Sequence, residues 1–302
     1  SALLDVDGGD ALIHGVSVGR GLNSVASNTV VGNNALDANT TGTNNTAIGD
    51  ESLTANTDGA QNVAVGAVSL NSSTSGNRNI AIGYASLAAN TTGDDNVAVG
   101  KSALAANTTA DDSTAVGSSA LANSTGGANT AVGKGSLDAN TTGVSGVAVG
   151  AFSLSSNTTA SNNTAVGRSA LEVNTTGTRN QAMGAYALDA NTTGDDNVGL
   201  GYSSLSANTT GSDNVAVGVQ ALRDNTTAGN NVAIGRDALL LNTTGTSNTA
   251  VGANALGANT TANDNIAVGK SALLSNTTGF ENVAVGSYAL DANTTGDEHV
   301  AI

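Results

Sequence analysis

Apolar and polar positions alternate in short bursts, and the bursts recur. Val97-Ala98-Val99 is followed by Gly100, two variable residues, Ala103-Leu104, and then Asn107-Thr108-Thr109. The glycine closing the corresponding motif falls at 32, 49, 66, 83, 100, 117, 133, 150, 167, 184, 201, 218, 235, 252, 269 and 286. Every interval is 17 except that from Gly117 to Gly133, which is 16. We place the missing residue between Leu121 and Asn123, reading L-x-x-N there as L-x-N. The consensus is N-[VT]-A-[VI]-G-x-x-[AS]-L-x-x-N-T-T-G-x-x. Fixed-period self-similarity marks a stacked repeat architecture.

Seventeen residues are too few for a pair of helices but suit one coil of a β-solenoid. Each N-V-A-V-G burst alternates as a short strand does, with its second and fourth positions on one face and Ala on the other. The fourth position is apolar in every copy, Met183, Leu200 and Ile302 included, and Leu recurs from Leu36 to Leu290. These two columns are expected to wall the core, with the looser second position partly exposed. Asn opens the strand in fourteen of seventeen copies, the exceptions being Ser113, Gly146 and His299. Amides stacked coil on coil can form hydrogen-bonded ladders. With coils ~4.8 Å apart, fifteen intervals give a rod of roughly 70 Å. The domain reading is therefore a lead-in segment, 1–27, and an array of about sixteen repeats, 28–302.

Composition narrows the picture. Aromatics are 2%, with no Trp, Pro or Cys and 39 Gly, so a core of normal width cannot be filled. At 39% hydrophobic, the chain is still too apolar for simple disorder. A coil burying three or four modest side chains gains little against the entropy of ordering it, so side-by-side association of several chains is expected.

The formal charge of −15 disfavours nucleic acid and anionic membrane surfaces as partners. No apolar run approaches the ~20 residues of a membrane span. Ser1-Ala2-Leu3-Leu4 leads straight into Asp5, so no secretory leader is read there.

N-T-A-[VI]-G-x-x-A-L-x-x-N-T-T-G resembles the repeats of bacteriophage tail fibres and related surface fibres, many of which end in an endosialidase-type chaperone domain. It is similar, more distantly, to the S-V-A-[IV]-G head repeats of trimeric autotransporter adhesins, whose unit is shorter. Residues 11–21, Ala11 to Gly21, resemble the segment that often precedes such arrays. The resemblance implies a parallel homotrimer of left-handed parallel β-rolls working in attachment, in a virion tail fibre or at an extracellular surface. A cell-surface glycan or protein receptor would be the partner. His299-Val300-Ala301-Ile302 begins a further copy, so the expectation is a segment of a longer fibre.

Catalytic and cofactor residues are not predicted. His14 and His299 stand at opposite ends, and no base accompanies the abundant Ser and Thr in a nucleophile arrangement. Thirteen Asn-Thr-Thr triplets match the glycosylation acceptor pattern, although an amide ladder explains them equally. Columns of Thr raise ice binding as a third function class. Asp94-Asp95 and Asp111-Asp112 share one phase on adjacent coils and are calcium candidates, although acidic turns that solvate the surface account for them as well. Lys101, Lys134, Arg168, Arg236 and Lys270 follow the motif Gly directly, as do Tyr84 and Tyr202, while Phe152, Tyr186 and Tyr288 come one residue later. These aromatics are expected at a variable corner outside the core, where they are candidates for surface contacts with a glycan.

Overall fold

The computed structural model describes residues 10–13, 16–21 and 25–302. The readings made at Ser1 to Asp5 and at His14 lie outside the described residues. Among the described residues there is no helix. The chain divides into two compact units, Ser1–Gly146 and Val147–Ile302.

In the first unit, β1 (Ala11–Ile13) and β2 (Val16–Gly19) pair antiparallel, and β2 pairs antiparallel with β3 (Thr29–Gly32). The lead-in thus covers the edge of the first coil, where unpaired N–H and C=O groups would otherwise stand open. Asp10 secures it by accepting from the amides of Arg20 at 2.6 Å and Gly21 at 2.9 Å. From β3 onward the strands run parallel, β4 (Thr46–Ile48) through β9 (Thr130–Val132), with each central residue opposite the next. In the second unit, β10 (Val147–Val149) through β19 (Val300–Ala301) repeat the arrangement, as in Val215↔Val232, Ala216↔Ala233 and Val217↔Ile234. Each strand is one side of a seventeen-residue coil. The β-solenoid read from the period is the fold.

The core differs from the sequence expectation in one respect. The strands keep their second and fourth positions on a common face, but that face points outward. In β7 (Val97–Val99) the burial order is half-buried, buried, half-buried, and Ala98 is fully buried. Inside, the Ala column meets the Leu column. At Gly199, which replaces the strand Ala, an added Cβ would sit 3.3 Å from Leu188 Cδ1 and 3.1 Å from Ser204 Oγ. A methyl is thus already a tight fit between strand and Leu, and a Val there would be overpacked. The leucines of this column, Leu36 through Leu273, are fully or almost fully buried.

Each of those leucines has φ near +50°, as at Leu104 (50°) and Leu205 (52°). This left-handed conformation is costly for a side-chain-bearing residue and worse for a β-branched one. It accounts for a column that holds Leu and never Val or Ile. The coil above holds it in place: Leu104 N donates to Ala120 O at 3.0 Å. The glycine of Thr-Thr-Gly shows no left-handed φ, as its replacement by Ala110, Ala160, Ala228 and Ala262 implied.

Two buried polar columns complete each coil. The strand-opening Asn79 accepts at Oδ1 from Asn96 N (3.0 Å), and its Nδ2 donates to Gly93 O (2.7 Å). In the second column Asn208 Nδ2 donates to Asn191 Oδ1 (3.0 Å) and Gly211 O (2.9 Å). The predicted ladder of amides is real. These bonds also locate the short coil. Ser124, fully buried, takes the Asn slot and accepts from Asn140 Nδ2 at 3.0 Å, whereas Asn123 is exposed. The residue missing from that coil is the second Thr, after Thr125, and the L-x-x segment before Ser124 is intact. Strand register survives, with Thr114 opposite Thr130.

Candidate interaction surface

Three surfaces carry the residues singled out by sequence. The first is the outward strand face. Apolar side chains stand on it in successive coils: Ile80 is 37% exposed, Ile82 40%, Met183 48% and Ile234 40%. With a strand about 10 Å wide and coils ~4.8 Å apart, the strands β3–β9 offer about 340 Å² of this face in the first unit, and the strands from Val147 to Val285 about 430 Å² in the second. Contiguous exposed apolar surface beyond a few hundred Å² marks an interaction site.

The second surface is the turn after each motif Gly. The sequence places Tyr84, Phe152, Tyr186, Tyr202 and Tyr288 at this corner, and they are there, outside the core: Tyr84 is 58% exposed, Tyr202 52% and Phe152 39%. The structure brings two of them together. The Tyr186 and Tyr202 rings meet edge to face with centroids 6.0 Å apart, and the Arg168 guanidinium lies 5.7 Å from the Tyr186 ring. Such a guanidinium–ring contact is attractive and leaves planar donors free. Lys270 stands 5.4 Å from the Tyr288 ring, and a hydrogen bond to Tyr288 holds its ammonium above the ordinary lysine range. Tyr84 is placed apart from these contacts. Arg78, Arg179, Arg223 and Arg236 each bond an aspartate instead.

The third surface is the acidic turn. Asp94 Oδ1 accepts from Asn77 N and Asp111 Oδ1 from Asp94 N, both at 2.7 Å, so these carboxylates tie one coil to the previous one. Asp195 does the same for Thr178 N at 2.6 Å. The following residue, Asp95 or Asp112, has φ near +60°, a conformation that Asp tolerates better than most residues. Asp95 forms a two-point pair with Arg78 at 2.6 and 2.7 Å, and that hydrogen bond holds its carboxyl below the usual range. The acidic pairs are thus stitches between coils. Among the described residues no three Asp, Glu, His or Cys side chains gather as a metal site would require.

The Asn-Thr-Thr columns are structural. Apart from Asn293, the triplet asparagines are buried and committed to the ladder, as Asn225 shows with bonds to Asn208 Oδ1 (2.9 Å) and Ala228 O (3.0 Å). A glycan could not reach those amides in the folded coil. The first Thr spends its hydroxyl on the next coil: Thr91 Oγ1 donates to Thr108 O at 3.0 Å. The second Thr, as at Thr92, is exposed.

Sequence reasoning missed Asp189. Burial pushes its carboxyl up to about 6, Glu172 on the neighbouring coil adds to the rise, and Asp189 Oδ1 has no hydrogen-bond partner. It also missed a notch where Gly257 stands between Leu240 and Leu274. Neither lies on a motif the repeat singles out. Among the described residues no helix is long and apolar enough to cross a membrane.

No known family model, curated protein or solved structure matches this chain.

Proposed function

We propose that this chain is a structural and adhesive fibre module: a β-solenoid, coiling left-handed, that assembles with two further copies side by side and in parallel. Its place would be a virion tail fibre or another extracellular fibre. Its work would be rigid reach, with attachment to a cell-surface glycan or protein as the outcome.

One observation carries the reading. The fourth strand position, on the outward face, is apolar in coil after coil, although the narrow core beneath it is already closed by Ala and Leu. Thr, which the second position takes in six coils, would satisfy an exposed sheet face, so a fourth position that never holds it points to a covering partner. The face repeats every coil, and a second copy of the same chain supplies a surface with the same step. In the second unit alone the face spans about 430 Å², in the range where a contiguous exposed apolar surface marks an interaction site.

The Arg168–Tyr186–Tyr202 cluster favours a second reading, an adhesive head that binds through its side wall, because exposed Tyr and Arg recur at recognition hot spots. Surface binding by the chain expressed alone separates the two readings. A shaft would show none, whereas a head would retain binding and lose it in Tyr186→Ala/Tyr202→Ala. A thermal-hysteresis assay addresses ice binding, and we expect no hysteresis.

A further inference from the structure

A face built of Val, Ile and the similarly shaped Thr has little means of fixing how far one copy slides along another. Moving a neighbour by one coil, ~4.8 Å, sets side chains of similar shape against one another again and costs little packing. Something must break the monotony if the copies are to align.

The sharpest break occurs on one strand. The second strand position is Val, Ile or Thr in every coil except at Gln181. The fourth position is Val or Ile except at Met183, on the same strand, and Leu200, on the next. Gln181 is exposed. Its backbone N donates to Asn197 O at 2.8 Å, but its side-chain amide makes no hydrogen bond with the described residues.

We infer that Gln181 sets the axial register between copies of this chain, its amide pairing with the same amide of the adjoining copies. The inference rests on the side-by-side assembly proposed above. A carboxamide both donates and accepts, so identical residues around a symmetry axis satisfy one another. A copy slipped by one coil places the amide against Val198 or Thr164; against Val it is buried without a partner. A single polar residue in an otherwise apolar seam fixes register in helical assemblies by the same logic. Met183, unbranched and adaptable, fills the irregular space beside the amide.

The chain has no cysteine, so single cysteines report register cleanly. Two differently tagged versions, Thr249→Cys and Val232→Cys, lie one coil apart on the outward face and are co-refolded and oxidised. In-register copies give only same-site disulfides; a one-coil slip gives the 232–249 disulfide. With Gln181 present, we expect the mixed product at about one part in ten or less of the same-site product. In the Gln181→Val background the two should become comparable. Moving the amide two coils along, in Gln181→Val/Val215→Gln, should restore same-site products.

Exclusive same-site products in the Gln181→Val chains would overturn the inference while leaving the assembly intact. Failure of Val215→Gln to restore register in folded chains would also overturn it. Monomeric chains without disulfides would remove the assembly itself. Folding is not at issue in the variant, because Val fills this slot in the next coil, at Val198.

Discussion

Ala98 and Val99 are neighbours in one three-residue strand, yet they answer to different constraints. Ala98 faces a space one methyl wide and is fully buried. Val99 points outward from the same sheet and is half-buried. The inner columns of Ala, Leu, Asn and motif Gly are almost uniform because each touches its own copy in the coils above and below. The outer column accepts Val, Ile, Met and Leu, so it is held to apolarity and not to shape. Shape is fixed by the coil's own interior, and apolarity outside by what lies against it.

The contrast can be broken first at the amide ladder. Asn208→Leu removes two donated bonds and leaves Asn225 Nδ2, Asn191 Oδ1 and Gly211 O short of partners. Losing three bonds, leaving Asn191 Oδ1 without a partner and forcing an apolar side chain into the polar column should together cost about 5 kcal/mol, whereas Asn208→Ser, which copies Ser73 and Ser124, should cost about half that. Thermal or denaturant melts of the two variants check the ordering.

Nearly as large an effect is expected at the motif glycine. Gly218 has φ near +139°, and a Cβ there would lie 2.6 Å from Gly235 O and 2.7 Å from Gly235 C. Both clashes are with backbone, so the coils must part. Gly218→Ala should destabilise by about 4 kcal/mol, through strain and overpacking together.

The outer face should behave oppositely. Replacing Val217, Ile234 and Val251 by Thr leaves the inner columns untouched, so the circular dichroism spectrum should be unchanged. Association should weaken at least about tenfold, as expected from removing several buried apolar groups at an interface. A large loss of secondary structure would show that this face supports the coil after all.

The smallest effect concerns Asp189. Burial raises its folded carboxyl to about 6, so the neutral acid is favoured in the fold. That contribution is fully present below the unfolded value near 4 and is lost as pH rises through about 6. Discounted for partial solvent exposure, it amounts to about 1 kcal/mol, or ~2 °C in melting temperature between pH 5 and 7.5. Asp95 and Asp196, whose carboxyls are held low by Arg78 and Arg179, work in the opposite direction and only below pH 4. The slope between pH 5 and 7.5 should therefore flatten in Asp189→Asn.

Much of this fold was legible in the sequence because a period is a direct signature of stacking. The strands, the buried Leu column, the amide ladder and the exposed corner for Tyr84, Phe152, Tyr186, Tyr202 and Tyr288 all follow from it. Alternation alone, however, cannot say which face of a strand is inside when both are apolar. Val and Ile looked like core because they are larger than Ala; in a coil this narrow, size is the reason they are outside. The short coil was misplaced because Asn123 mimics the ladder residue by name, while Ser124 fills the slot by position. The Arg168–Tyr186–Tyr202 contact was not legible, because Tyr186 lies one phase later in the turn than Arg168 and Tyr202 and the three meet only through side-chain reach.

The central claim is that the outward apolar face is covered by other copies of the same chain. Light scattering on the purified chain at micromolar concentration tests it most directly. The account predicts a particle of three times the 29.0 kDa chain mass, and a folded, stable species of 29.0 kDa would contradict it.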